Sequence, residues 1–181
     1  MPTTTLRDSN ILQDFTVWIG DNGKIGEAPN FQPPEININT EEFRGGGMDG
    51  TIEIPMGVEK IEFDFELHTW DVDVWNNLGY GPGSIDVPVK FYGYMLTPGG
   101  AEKGVQIYTR SLIKSIKPSK VEPGKKVTLS VHLVANYYRQ VVDGRKVTEI
   151  DVFNKVTIIG GEDKTARART LLGIGGISSS L

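Results

Sequence analysis

A mainly β fold, an antiparallel β-sandwich or barrel flanked by one α-helix, is written into this chain by three features. Segments of alternating polar and apolar residues recur from Phe15 to Ile159. Turn-forming residues punctuate them, with 22 glycines and 10 prolines among 181 residues. One interior stretch, after Asp71, has the cap and spacing of a helix. Strands precede and follow it instead of alternating with helices, which argues against a parallel α/β sheet.

In order, residues 1–14 are polar and threonine-rich and read as a loosely held extension. Phe15 to Ile19 is the first strand, turned by Gly20-Asp21-Asn22-Gly23. Gly26 to Pro34 carries three prolines and reads as a connection. A second strand runs from Glu35 to Glu42 and a third begins at Thr51. Between them stands Phe43-Arg44-Gly45-Gly46-Gly47-Met48-Asp49-Gly50, half glycine, free to take positive φ and to lie close against another surface. Ile61 to Leu67 is the cleanest strand. Ile61, Phe63, Phe65 and Leu67 share one face, while Glu62, Asp64 and Glu66 share the other, because side chains alternate with period two.

Asp71 caps the helix, Val72, Trp75 and Leu78 share a face of it, and Gly79 stops it. Val87 to Leu96 pairs with Val105 to Ile116 through the turn Thr97-Pro98-Gly99-Gly100. Lys126 to Val142 is a long strand after the turn Glu122-Pro123-Gly124-Lys125. Asp143-Gly144 is the two-residue signal of a type I′ hairpin, so Arg145 to Ile159 returns as the last long strand. Glu162 to Leu172 is short, basic and helical, and residues 173–181 form a loose tail. The chain is read as one domain over residues 1–181. Its long strands need their edges covered, and a closed ring of subunits is one way to cover them.

Composition narrows the functions. A formal charge of −4 gives no sign of a clamp on nucleic acid. The absence of cysteine excludes disulfides and thiolate metal sites and makes cytosolic folding the simplest reading. No basic start followed by an apolar block suggests a signal peptide, and no apolar run approaches the ~20 residues that span a bilayer.

Catalytic patterns fail on inspection. Gly45-x-Gly47-x-x-Gly50 matches the dinucleotide fingerprint in letters, but Thr51-Ile52-Glu53-Ile54 follows as a strand where the fingerprint needs a helix. A nucleotide-binding enzyme built on Gly45–Gly50 is therefore a remote alternative. His68 and His132 lack partners at zinc-ligand spacing. Glu62, Asp64 and Glu66 read as a solvated strand face before a metal site, and Trp70 and Trp75 as core packing before a sugar platform. Lys114, Lys117, Lys120, Lys125 and Lys126 gather at a turn and read as soluble surface before a DNA contact. No catalytic residue, cofactor or metal is expected.

Two stretches together resemble a known family. They are residues 42–50, Glu-Phe-Arg-Gly-Gly-Gly-Met-Asp-Gly, and residues 136–151, from Asn136-Tyr137-Tyr138-Arg139 through Val142-Asp143-Gly144-Arg145 to Glu149-Ile150-Asp151. With Asn154 and the basic end Ala166-Arg167-Ala168-Arg169, they are similar to the major tail tube proteins of contractile-tailed bacteriophages, in the branch shared with R-type pyocin tubes. The resemblance implies a tail-tube-like β-sandwich or barrel subunit. It implies hexameric rings stacked into a hollow tube inside a contractile sheath, and a mechanical, non-enzymatic role in DNA delivery. The implied partners are further copies of the chain, the tail sheath protein, the tape measure protein and DNA in the lumen, and baseplate and tail terminator proteins. The implied place is the virion tail, assembled in the host bacterial cytoplasm. The tube of a phage-like bacteriocin or injection device without a genome is the alternative. On this reading Arg44, Gly45, Gly46, Gly47, Met48, Asp49 and Gly50 are expected to contact neighbouring subunits, from one ring to the next. Glu62, Asp64 and Glu66 are expected to face solvent at the lumen or the sheath.

Overall fold

The computed structural model of the chain describes residues 9–174, so expectations for residues 1–8 and 175–181 lie outside it. In chain order the described residues form β1 (Ile11–Ile19), β2 (Asn22–Gly23), β3 (Asn30–Gln32), β4 (Ile38–Phe43), β5 (Ile52–Val58), β6 (Ile61–Leu67) and α1 (Val72–Asn76). There follow β7 (Val87–Leu96), β8 (Glu102–Pro118), β9 (Leu129–Val142), β10 (Arg145–Asp151), β11 (Val156–Ile159), β12 (Glu162–Asp163) and α2 (Ala166–Leu171). Ten strands build one sheet, and β4 and β5 pair only with each other as a separate two-stranded ribbon.

β8 and β9 are the spine. Along one edge of β9, residues 129–135 pair with β6 and residues 137–142 with β10, while β8 holds the other edge. The β8–β9 ladder shifts register at Arg110/Ser111 and again at Ile113/Ser115. Such bulges bend a strand and tighten its twist, and here the sheet folds back over itself. β3 and β6 thereby lie over β1 and β7. Phe31 of β3 stacks on Phe91 of β7 at 4.5 Å and sits 5.9 Å from Phe63 of β6, while Phe15 of β1 stacks on the same Phe91 at 5.5 Å. Around this aromatic centre Val17, Ile19, Phe65, Leu67, Val131 and Leu133 are enclosed. Each such side chain stabilises the fold by about 1.5–3 kcal/mol relative to exposure.

Local chemistry explains the corners. Asp143 and Gly144 take φ of 51° and 74°, the positive pair that a type I′ turn demands. The Asp71 carboxylate accepts from the backbone N–H of Asp73 at 2.8 Å and of Val74 at 3.4 Å, capping α1. Gly79 ends the helix region where a Cβ would stand 2.1 Å from Leu112 Cδ1 and 2.9 Å from the Ile113 carbonyl oxygen. Its N–H donates to that oxygen at 3.0 Å, so only glycine lets the loop reach β8.

Several sequence expectations are corrected. β1 begins at Ile11 and pairs with β7 along its whole length, so residues 11–14 are strand and not loose extension. The connection from Gly26 to Pro34 contains β3, which pairs with β6. Arg145 to Ile159 is two strands, because residues 152–155 turn the chain back, with Asp151 accepting from the Asn154 backbone N–H at 3.0 Å and Lys155 at φ 53°. Both long strands near the C-terminus lie inside the sheet with partners on each edge, so they are not the edges that need covering. Finally, α1 buries Val74, whereas Val72, Trp75 and Trp70 are exposed. The helix has only five residues and is anchored at its N-terminus by Lys24, whose Nζ lies 2.5 Å from Asp71 and 2.8 Å from Asp73. Burial pulls the Lys24 ammonium down, but hydrogen bonds to these two carboxylates outweigh it and leave its pKa raised.

Candidate functional site: surfaces built for association

The ribbon is the first surface. Phe43 pairs with Ile52, Glu41 with Ile54 and Ile38 with Val58. Alternation therefore puts Glu41, Phe43, Ile52, Ile54 and Met56 on one side, and Ile38, Thr40, Glu42, Glu53 and Pro55 on the other. All four apolar residues of the first side are exposed, at 41% for Ile54 up to 58% for Met56. A two-stranded hairpin is at best marginal in water, and among the described residues nothing covers the apolar side of this ribbon.

The loop Arg44–Gly50 caps the ribbon. Met48 folds over it, its Sδ 3.1 Å from the Gly45 nitrogen, and the Met48 N–H donates to the Gly45 carbonyl at 3.3 Å. Gly47 takes φ +84°, which a side chain would strain. At Gly46 and Gly50 a Cβ would meet nothing within 4 Å and φ is ordinary, so the subunit itself makes no use of these two glycines. Strands flank the loop on both sides, and no helix N-terminus is there to hold a pyrophosphate.

The acidic row lies on the outer face of β6, with Glu62, Asp64 and Glu66 opposite Val134, His132 and Ser130 of β9. His132 bridges Asp64 at 2.7 Å and Glu62 at 3.4 Å. Lys60 reaches Glu62 at 2.7 Å and Lys114 at 3.4 Å, while Asn30 donates to Glu66 at 2.7 Å. Hydrogen bonding from Lys60, supported by His132 and Lys114, holds the Glu62 carboxyl at about 2. The face is thus polar and internally charge-paired. Among the described residues no group of three or more His, Asp or Glu side chains is placed to hold a metal ion.

The lysine turn is similarly engaged, since Glu122 takes Lys120 at 3.0 Å and Lys125 at 2.5 Å. Trp70, Val72, Trp75 and Tyr80, all near α1, are exposed, contrary to the core packing expected of the two tryptophans. One further surface was missed in the sequence: tyrosines and arginines alternate on the outer faces of β8 and β9. Its signal was the spacing of two between Tyr108 and Arg110 and again between Tyr137 and Arg139.

This architecture is shared. The tube in a sheath–tube complex of an extracellular contractile injection system has the same fold, at TM-score 0.52 and 13% identity over 70% of this chain and 87% of that one. A sheath/tube terminator structure of the same system aligns at TM-score 0.56 and 13% identity over 72% and 95%. By fold the chain is a mostly β subunit, like the chains of those two assemblies. It belongs to the family of phage tail tube protein FII, which it matches over residues 9–173. Curated relatives include the tail tube protein of Escherichia phage P2, 25% identical over 90% of this chain and 96% of the relative. The major tail tube protein of Serratia phage KSP20 is 26% identical over 91% and 96%.

Proposed function

We propose that this tail tube protein closes into hexameric rings that stack into the hollow inner tube of a contractile phage tail. The observation that carries the reading is the β4–β5 ribbon, whose apolar side has no partner among the described residues. A neighbouring subunit supplies that partner. The loop Arg44–Gly50 then lies against the next ring, where bare backbone at Gly46 and Gly50 permits close approach. Both edges of the ribbon are also open, and stacking covers them.

The acidic row faces the lumen. Glu62 and Asp64 are paired by Lys60, Lys114 and His132, and Glu66 is hydrogen-bonded by Asn30 and Ser130, leaving a hydrated surface without aromatic rings on which bases could stack. Such a lining lets a polyanion slide past instead of gripping it. The tape measure protein and DNA occupy the lumen, the sheath surrounds the tube, and baseplate and terminator proteins close its ends. The subunit works mechanically, as a virion tail component assembled in the host cytoplasm, and performs no catalysis.

The genome-free injection device remains the second reading, since its tube shares the fold. Higher identity and fuller coverage among phage tail tube proteins favour the phage. Sedimentation at rising concentration tests the proposal. Large, concentration-dependent species are expected; monomer alone, even with a tail-initiating complex added, would overturn it.

A further inference from the structure

The outer faces of β7 to β10 carry an ordered lattice that neither the core nor the acidic face uses. Register aligns Lys90, Tyr108, Arg139 and Glu149 in one row across four strands, and Pro88, Arg110, Tyr137 and Asp151 in the next. The Arg110 guanidinium lies 4.8 Å from the centre of the Tyr137 ring, and that of Arg139 lies 5.5 Å from the centre of the Tyr108 ring. The two rings meet edge-on at 5.7 Å. Glu149 is committed to its own sheet, accepting from Tyr137 and Lys146 at 2.7 Å each.

Neither guanidinium is hydrogen-bonded to a carboxylate. Among the described residues no acceptor takes Arg139, and Arg110, its side chain 40% exposed, has only an ion pair with Asp86 at 3.7 Å and no hydrogen bond at Nε. A guanidinium resting on a ring keeps in-plane donors available for a carboxylate. The accessible donors of the two half-exposed guanidiniums are therefore open to a carboxylate from outside the subunit.

We propose that this arginine–tyrosine face receives the β4–β5 ribbon of a second copy of the chain, apolar side down, with Glu41 seated at Arg110 and Arg139. The proposal rests on the tube reading above and names the surface that covers the ribbon. Charge matches. Residues 35–60 hold six acidic side chains against Arg44 and Lys60, which accounts for the whole chain's formal −4. Chemistry matches at the level of single residues. Glu41 sits opposite Ile54 on the apolar side of the ribbon, flanked by the Phe43–Ile52 pair. Packing that side against any surface buries a carboxylate, which is tolerable only against a paired cation. The edge-on tyrosine rings give the apolar residues a partner to pack on, and the two guanidiniums give Glu41 its donors.

Charge exchange tests it, using the full chain under conditions where the unaltered protein forms tubes. Glu41→Arg, on an exposed ribbon residue that cannot disturb the core, is expected to lower tube yield at least about tenfold, the loss typical of a broken buried charge pair. Arg139→Glu is expected to do the same, and the two together in one chain to recover most of the yield. Normal tubes from Glu41→Arg, or loss without recovery in the double variant, overturns the proposal. Phe43→Ser with Ile54→Ser separates the two levels. If these ribbon changes abolish tubes while Glu41→Arg leaves them intact, the receiving face is wrong and the tube reading stands. If neither affects tubes, the ribbon has no part in assembly.

Discussion

Phe43 stands directly across from Ile52 near the tip of the ribbon, on the same side and about half exposed, at 50% and 49%. A pair like this, away from the main core, contributes little to the stability of the isolated subunit. Phe43→Ser with Ile52→Ser is expected to change unfolding free energy by no more than about 0.5 kcal/mol per site. Urea denaturation checks that, and electron microscopy of the same variant checks the loss of tubes. A large loss of stability would show that the ribbon packs within its own subunit.

The glycines divide into two kinds. Gly79→Ala places a methyl against the Ile113 carbonyl oxygen at 2.9 Å, a backbone atom that cannot swing aside. It is expected to destabilise the subunit by about 1–3 kcal/mol, the usual cost of overpacking. Gly46→Val meets nothing within 4 Å and needs no positive φ, so the subunit should fold as before. Its predicted defect is in assembly. Tubes of normal length from Gly46→Val would show that the loop does not lie against a neighbour.

The acidic face predicts tolerance. Glu62→Gln, Asp64→Asn and Glu66→Gln in one chain remove charge from an outer face and leave the core residues Phe63 and Phe65 untouched. The triple variant is expected to melt near the unaltered protein and still to form tubes, with DNA passage altered instead. Unfolding of the variant, followed by circular dichroism, would contradict the assignment of faces.

The C-terminal helix predicts a pH effect. Arg169 donates to Asp163 at 2.5 and 3.2 Å and to the Lys155 carbonyl at 3.0 Å, docking α2 on β11 and β12. Pairing with Arg169 lowers the Asp163 pKa from 3.8 to about 2. A depressed carboxyl stabilises the fold at pH above its unfolded value, and that contribution disappears as pH falls through the folded value. Docking of α2 should therefore be constant down to about pH 4 and weaken between 4 and 2. Hydrogen exchange at the α2 amides reads this directly, and Asp163→Asn should abolish the pH dependence. An unchanged exchange profile in that variant would assign docking to other groups.

Much of the fold was readable because β6, β7 and the Asp143-Gly144 hairpin obey rules that act within a few residues. Ile61 to Leu67 alternates without interruption, and its buried and exposed sides are as the period demands. What escaped depended on distance or on length. α1 is too short for periodicity to define a face, and Val74 is buried because Lys24, 49 residues before Asp73 in sequence, ties the helix down from β2's flank. The turn at residues 152–155 lacks glycine and proline and is made by Asp151 bonding Asn154, so nothing marked a break. The arginine–tyrosine face was visible strand by strand as Tyr108-x-Arg110 and Tyr137-x-Arg139. Only the register of β8 with β9 brings each arginine over the other strand's ring.

The central claim is that the uncovered ribbon is an assembly device. Electron microscopy of the purified full chain, incubated at high concentration with and without a tail-initiating complex, tests it most directly. Hollow tubes of stacked six-fold rings, with each β4–β5 ribbon buried against another subunit, are the predicted result. Rings or tubes in which the ribbon stays solvent-exposed, or dispersed monomers under both conditions, would contradict it.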